Sequence, residues 1–168
     1  PLERPAIEES ASAEWAERVR DVSNPEATEL YKDHQRAMEP FLEWMKSTGD
    51  LTPTDTVTGE DVTEAIRLRA RELGYGEVGF TQLDRHYVYV SRKAALKSDL
   101  PTAICLALEQ DYDSTQTSPS LKAEAAHSDT YRRQAQIVRK LVNYILSLGY
   151  RVQVSGPEFY YGPLIPMF

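Results

Sequence analysis

The sequence contains a single cysteine, Cys105, among its 168 residues. One thiol cannot form a disulfide within the chain, and it cannot by itself hold a zinc ion or an iron–sulfur cluster. We therefore expect no metal site built from this chain alone, and a fold stabilised by packing. Hydrophobic residues make up 41% of the sequence, which is enough for the core of one ordinary domain.

Positive charge is also scarce. The chain has 19 Lys and Arg residues against 26 Asp and Glu residues, a net charge of −7, whereas a nucleic-acid partner requires a concentrated basic surface. No apolar run approaches the roughly 20 residues of a membrane-spanning helix, and the start shows no signal pattern. We expect no nucleic-acid partner, no membrane-spanning segment and a cytoplasmic location.

The usual catalytic signatures are missing as well. There is no phosphate-binding glycine loop, no G-x-S-x-G, no H-E-x-x-H and no C-x-x-C. A structural or surface role is therefore the default for the isolated polar groups. These groups are the three histidines, Cys105, an acidic cluster after an apolar run, and a basic series in a long helical pattern: His34, His86, His127, Glu109, Asp111, Asp113, Arg132, Arg133, Arg139 and Lys140. The sequence thus predicts no catalytic residue and no metal ligand in this chain.

The chain divides at a linker rich in turn-forming residues between Ser47 and Thr56. Residues 1–56 are interpreted as an amino-terminal helical arm with this linker, and Pro40 predicts either two short helices or one kinked helix there. Residues 57–168 are interpreted as the compact part. Because the chain begins with Pro1 and ends on an apolar run, we expect it to be part of a longer protein.

Periodicity predicts mixed secondary structure for the compact part. A short helix begins near a capping box at Thr58 and Asp61 and ends at Gly74, and a long helix runs from about Ser128 or Asp129 to Leu148. Strands are predicted at 77–81, 86–90, 102–108 and 150–154, the third as a central strand covered on both faces. The order predicts an α/β or α+β layered domain.

The last eleven residues combine four aromatics with two prolines and a glycine, which favours stiff, extended backbone with flat faces. Such a segment can line the site of a planar ligand, or it can be a packed crossover. The segment 160–168 follows a helix and strand entry at 144–152. Together with 71–80 and 102–108, it resembles the cobalamin-binding region of reductive dehalogenases and of the related epoxyqueuosine reductases.

The resemblance covers residues 57–168 and implies a nitroreductase-like core that holds base-off cobalamin. It also implies two [4Fe–4S] clusters in a ferredoxin-type module, whose cysteines lie beyond the matched region, as does the proton-donating tyrosine. The chain is then the amino-terminal part of an enzyme that removes halide from an organohalide, with a redox partner protein, and it is inactive alone. By transfer, five residues line the corrin or substrate cavity: Phe159, Tyr160, Tyr161, Leu164 and Phe168.

Four alternatives stay open. An epoxyqueuosine reductase-like enzyme shares the resemblance. A flavin enzyme of the nitroreductase class could use the aromatic tail against its ring system. A non-catalytic module that binds cobalamin or a partner, or a scaffold without any ligand, would also agree with the absence of catalytic motifs.

Overall fold

The computed structural model describes residues 25–54, 59–97, 99–118, 120–156 and 160–162. Four α-helices and two β-strands are found there: α1 (Pro25–Ser47), α2 (Thr63–Glu72), β1 (Glu77–Gln82), β2 (Thr102–Ala107), α3 (Tyr112–Thr115) and α4 (Leu121–Ser147). Short 3₁₀ turns occupy Thr48–Asp50, Arg85–Tyr87 and Val90–Arg92. This mixture agrees with an α+β domain.

Helix α4 is longer at its start than the sequence pattern indicated. The Ser120 hydroxyl accepts a hydrogen bond of 3.1 Å from the Ala123 amide and caps a helix that begins at Leu121. The predicted start near Ser128 was wrong because the first two turns are rich in alanine, which favours helix without forming an apolar stripe. At the other end Gly149 has a φ of 86°, as expected for a residue that terminates a helix.

Two hydrophobic clusters lie on either side of α4. One side packs against α1 and the other against α2 and the sheet. The α1 side contains Met38, Phe41, Met45, Val138, Val142, Leu146 and Val154. The other side contains Ile66, Ala70, Tyr75, Val78, Ile137, Leu141 and Ile145. Different faces of α4 therefore pack against different neighbours.

Helix α1 is one continuous helix that includes Pro40. Proline removes one helical hydrogen bond, and the carbonyl of Pro40 accepts a 3.1 Å hydrogen bond from Arg139 of α4. The carboxy-terminal half of α1 buries Met38, Phe41 and Met45 against α4. Part of the segment interpreted as an arm thus contributes to the core, while the boundary at residues 56 and 57 lies outside the described residues.

The two strands form an antiparallel pair in which Glu77 aligns with Ala107 and Gln82 with Thr102. Within the described residues β2 pairs with β1 alone, and none of its six residues is fully buried. The strand itself is confirmed, but the prediction of a central strand covered on both faces is wrong for this part of the chain. Gly79 pairs with Cys105, and Phe80 pairs with Ile104. Because successive side chains of a strand point to opposite faces, the small pair lies on one face of the sheet and the larger pair on the other.

Other local predictions have mixed outcomes. Helix α2 is confirmed, with Asp61 accepting a 2.9 Å hydrogen bond from the Thr63 amide, while Thr58 lies outside the described residues. The strand predicted at 86–90 is wrong, because the Asp84 carboxylate accepts from the His86 amide at 2.8 Å and starts a 3₁₀ turn. Residues 150–154 are not assigned as a strand. Within the described residues, no helix has the length and apolarity that a membrane crossing requires.

Candidate functional site

A cavity of about 980 Å³ lies between α4, β2 and the segment after α4. It follows α4 from His127 to Ile145, about 27 Å at the helical rise per residue. Aliphatic side chains form much of its wall: Ile66, Ile104, Leu106, Val138, Leu141, Val142, Ile145, Val152 and Val154. Its volume is at the upper end of the range for sites that enclose small molecules, and mostly apolar walls are typical of such sites.

The segment 152–156 forms one side of this cavity and is fixed by long-range hydrogen bonds. The Val154 amide donates to the Thr48 hydroxyl at 2.9 Å, and that hydroxyl donates to the Met45 carbonyl at 2.8 Å. Thr48 is completely buried, so these bonds are shielded from water. The wall is therefore anchored to the end of α1, about a hundred residues earlier in the chain.

Tyr161 is held at the wall by both its backbone and its side chain. Its hydroxyl accepts a 2.6 Å hydrogen bond from the Gln153 amide, its backbone amide donates to the Ser155 hydroxyl at 3.2 Å, and its carbonyl accepts from the Tyr89 amide at 2.8 Å. The residue is only 5% exposed and packs with Val88 and Leu96. Tyr161 is thus a fixed part of the cavity wall.

Tyr160 also lines the cavity and interacts with the side chain of Tyr131 on α4. Burial raises the pKa of Tyr160 to about 12. The electrostatic interaction and the hydrogen bond with Tyr131 also raise this pKa, by smaller amounts. The ring of His127 meets the ring of Tyr131 edge-on at 4.5 Å between centroids, and His34 of α1 approaches the same ring at 5.9 Å. This end of the cavity is therefore aromatic and carries hydroxyl groups.

The structure brings together two of the five residues predicted to line the site, Tyr160 and Tyr161, and their predicted role in cofactor binding stays a prediction. Phe159, Leu164 and Phe168 lie outside the described residues. Sequence reasoning missed Tyr131 and gave His127 a structural role. The signal was their four-residue spacing, which places both on one helix face, but it was hidden because the helix was predicted to start after His127.

The remaining polar candidates have structural roles where contacts are seen. Asp111 caps α3 by accepting from the Ser114 amide at 2.8 Å, and this hydrogen bond lowers the pKa of the carboxyl. Arg133 donates to the Glu109 carbonyl, and Arg139 lies over the Trp44 ring. Asp111 therefore has a structural role, as the sequence predicted by default for the isolated polar groups.

Cys105 is half-buried and lines the cavity. Burial raises the pKa of its thiol, which disfavours the nucleophilic thiolate at neutral pH. The side chain acts as a small, mostly apolar part of the wall. Among the described residues, no group of three or more His, Cys, Asp and Glu side chains is arranged to hold a metal ion.

Comparisons with known proteins give no relative: no family model matches the chain, and neither a curated protein nor a solved structure matches it significantly.

Proposed function

We propose that this chain is the amino-terminal part of a cobalamin-dependent reductive dehalogenase and forms one side of its corrin and substrate cavity. The observation that carries the proposal is the large apolar cavity whose wall includes Tyr160 and Tyr161. These residues belong to the segment that resembles the cobalamin-binding region of that family. A nitroreductase-like arrangement of the complete core is part of the same proposal.

The residues present fit cobalamin in two respects. The cavity volume of about 980 Å³ is at the upper end of the roughly 300–1,000 Å³ of small-molecule sites, and it can hold part of a large planar cofactor. Its aliphatic and aromatic walls match the flat faces of a corrin, while His127, Tyr131 and Gln134 offer hydrogen bonds to peripheral polar groups.

When bound, reduced cobalamin would supply electrons for replacing a carbon–halogen bond by a carbon–hydrogen bond, with uptake of a proton and release of halide. In this proposal the residues of this chain bind and orient the cofactor and the substrate. The aliphatic stripe of α4 excludes water from the cavity, which strengthens electrostatic interactions there. Gln153 holds the hydroxyl of Tyr161 at the wall. In this proposal the two [4Fe–4S] clusters and the proton donor lie beyond this chain, which is inactive alone. The proposal also includes a redox partner protein and a cytoplasmic location.

Titration of the purified chain with cob(II)alamin tests this proposal. Absorbance and electron paramagnetic resonance report whether the bound form is base-off. Ala103 lines the cavity, whereas Ala94 is exposed and does not, so Ala103→Trp and Ala94→Trp add the same bulk inside and outside the site. We expect saturable base-off binding that Ala103→Trp abolishes and Ala94→Trp leaves unchanged, with both variants shown to be folded by circular dichroism.

Two results contradict the proposal. The first is binding that both tryptophan variants retain, because the corrin then lies elsewhere. The second is a lack of cobalamin binding together with saturable flavin binding that Ala103→Trp alone removes, which supports the flavin alternative. Binding of cobalamin with no dehalogenation, even when the complete protein is supplied with strong reductant, supports the non-catalytic module.

A further inference from the structure

An exposed patch of aromatic and basic side chains lies in the segment after β1. Residues 85–97 contain four Lys and Arg residues and no Asp or Glu, although the whole chain has a net charge of −7. Tyr87 is 43% exposed, Tyr89 is 42% exposed and Val90 is 83% exposed. Together with the exposed Lys93, these three residues form what we call the basic tyrosine patch. Exposed aromatic side chains bordered by charge are typical of protein–protein interfaces.

The backbone behind the basic tyrosine patch is tied to the rest of the fold. The Tyr89 amide donates to the Tyr161 carbonyl at 2.8 Å, and the Arg92 amide donates to the Tyr89 carbonyl at 2.8 Å. Val88 and Leu96 are buried against Tyr161. The exposed side chains are therefore presented by a backbone that is already ordered, which lowers the entropic cost of docking.

A patch of opposite charge follows β2. This acidic tyrosine patch consists of four exposed residues: Glu109, Asp111, Tyr112 and Asp113. Tyr112 is 68% exposed. Hydrogen bonds from Ser114 lower the pKa of Asp111, so its carboxylate is ionised at neutral pH. Lys122 and Arg133 border Asp111 and offset part of the charge, but three carboxylates against two cations leave the patch negative.

The two patches leave the sheet at opposite ends of β2. The segment that carries the basic tyrosine patch follows Gln82, which pairs with Thr102 at the start of β2, and the Leu83 amide donates to the Pro101 carbonyl at 2.7 Å. The acidic tyrosine patch follows Ala107, where β2 ends. A six-residue strand is about 20 Å long, so a contact between the two patches joins different copies of the chain.

We propose that the basic tyrosine patch of one copy docks on the acidic tyrosine patch of a second copy. Charge complementarity selects this occupant, because a positive surface meets a negative one and each contributes exposed tyrosine rings. Two different surfaces meet, so the contact is head-to-tail, and further copies can add until a ring closes or an open chain grows. Small interfaces of this kind are weak and transient. The inference concerns assembly and is independent of what the cavity binds.

Sedimentation velocity of the 168-residue chain over a range of concentrations at low ionic strength tests this contact. We expect the weight-average sedimentation coefficient to rise with concentration, and to rise less when NaCl is added, because salt screens exposed charges. Lys93→Glu and Asp113→Lys place like charges opposite each other, and each should weaken association about tenfold. Lys140→Glu and Glu39→Lys make the same charge changes at exposed positions outside both patches and should leave association unchanged.

A mixture of the two patch variants gives the sharpest comparison. Lys93→Glu mixed with Asp113→Lys combines the unchanged acidic tyrosine patch of the first with the unchanged basic tyrosine patch of the second. The mixture should therefore associate more strongly than either variant alone. Tyr112→Ser should also weaken association, whereas Leu68→Ser at an exposed position of α2 should not. Circular dichroism shows whether each variant is folded.

Three results would overturn the inference. The first is a chain that remains monomeric at every concentration at low ionic strength. The second is association that Lys93→Glu and Asp113→Lys leave unchanged, because the copies then meet through other surfaces. The third is a mixture of these two variants that associates no more strongly than its components. Titration with cob(II)alamin is unaffected by any of these results, so the proposed function is tested separately.

Discussion

The side chain of Gln153 donates a 2.6 Å hydrogen bond to the hydroxyl of Tyr161. The same side chain accepts from the Lys97 amide at 2.9 Å and donates to the Ala95 carbonyl at 2.8 Å. Three parts of the chain, 95–97, 153 and 161, therefore meet at one amide group. Gln153 connects the loop after the 3₁₀ turns to the wall of the cavity.

Replacement of Gln153 by leucine should lower the free energy of unfolding by about 1–3 kcal/mol, because polar groups that are partly buried lose their partners. Urea denaturation monitored by circular dichroism measures this change. Gln136→Leu, on the exposed side of α4, is the control and should change stability by less than about 0.5 kcal/mol. Equal effects of the two substitutions would show that the Gln153 contacts contribute nothing specific.

Gly49→Ala should disturb the same contacts from the opposite side. A Cβ atom at position 49 would lie 2.9 Å from Nε2 of Gln153 and 3.0 Å from Cε of Lys97, so the amide has to move and its hydrogen bonds weaken. We expect the free energy of unfolding to fall by about 1–3 kcal/mol, as it does when other packed sites are overfilled. In a double-mutant cycle, the loss should shrink when Gln153 is already leucine. Gly76→Ala, whose Cβ meets only an ordinary contact at 3.9 Å, provides the comparison.

Leu141→Ala tests the central position of α4. Leu141 is 2% exposed and packs against α2 and the sheet. Its truncation should therefore lower the free energy of unfolding by about 2–5 kcal/mol. Leu68 of α2 is 61% exposed, and Leu68→Ala removes the same atoms at a cost below about 0.5 kcal/mol. Similar midpoints of thermal unfolding for the two variants would contradict the packing described for α4.

The ion pair between Lys97 and Asp50 predicts a pH dependence. Lys97 donates a 2.6 Å hydrogen bond to the Asp50 carboxylate, and this bond together with the lysine charge lowers the pKa of Asp50 below its usual 3.8. A lowered folded-state pKa stabilises the fold above the unfolded-state pKa, and the contribution disappears as the pH falls through the folded-state value. Asp50→Asn should therefore reduce the urea midpoint at pH 7 slightly and have less effect as the pH falls below 3.8. Exposed Glu39→Gln serves as the control for the loss of one charge, and a pH-independent effect of Asp50→Asn would contradict the pairing.

Alkylation of Cys105 reports on occupancy of the cavity. Because burial raises the pKa of this thiol, reaction with iodoacetamide at pH 8 should be slow in the folded chain and fast in urea. A ligand that fills the cavity should slow it further, since Cys105 lines the wall. Mass spectrometry follows the modification over time. A rate that saturating cob(II)alamin leaves unchanged would place the bound cofactor away from β2.

The sequence predicted helices and strands correctly where interactions between residues close in the chain determine them. Helix α2 follows from an aspartate at its start and a glycine at its end, and Gly74 has the expected positive φ of 104°. The broad apolar face of α4 and strands β1 and β2 follow from their periodicity. Where the local signal was weak, as in the alanine-rich first turns of α4 or at His86, the prediction was wrong because capping hydrogen bonds decided the outcome.

The sequence by itself therefore determined the helical and strand segments and their apolar faces, and it predicts that the aromatic tail lines a ligand site. Only the tertiary structure decided that α1 shares its core with α4, that Tyr131 meets Tyr160, and that Gln153 joins Lys97 to Tyr161. The physical reason is range. Helix and strand patterns arise between residues a few positions apart, whereas these contacts join residues up to about a hundred positions apart, and their pairing depends on how the whole chain packs.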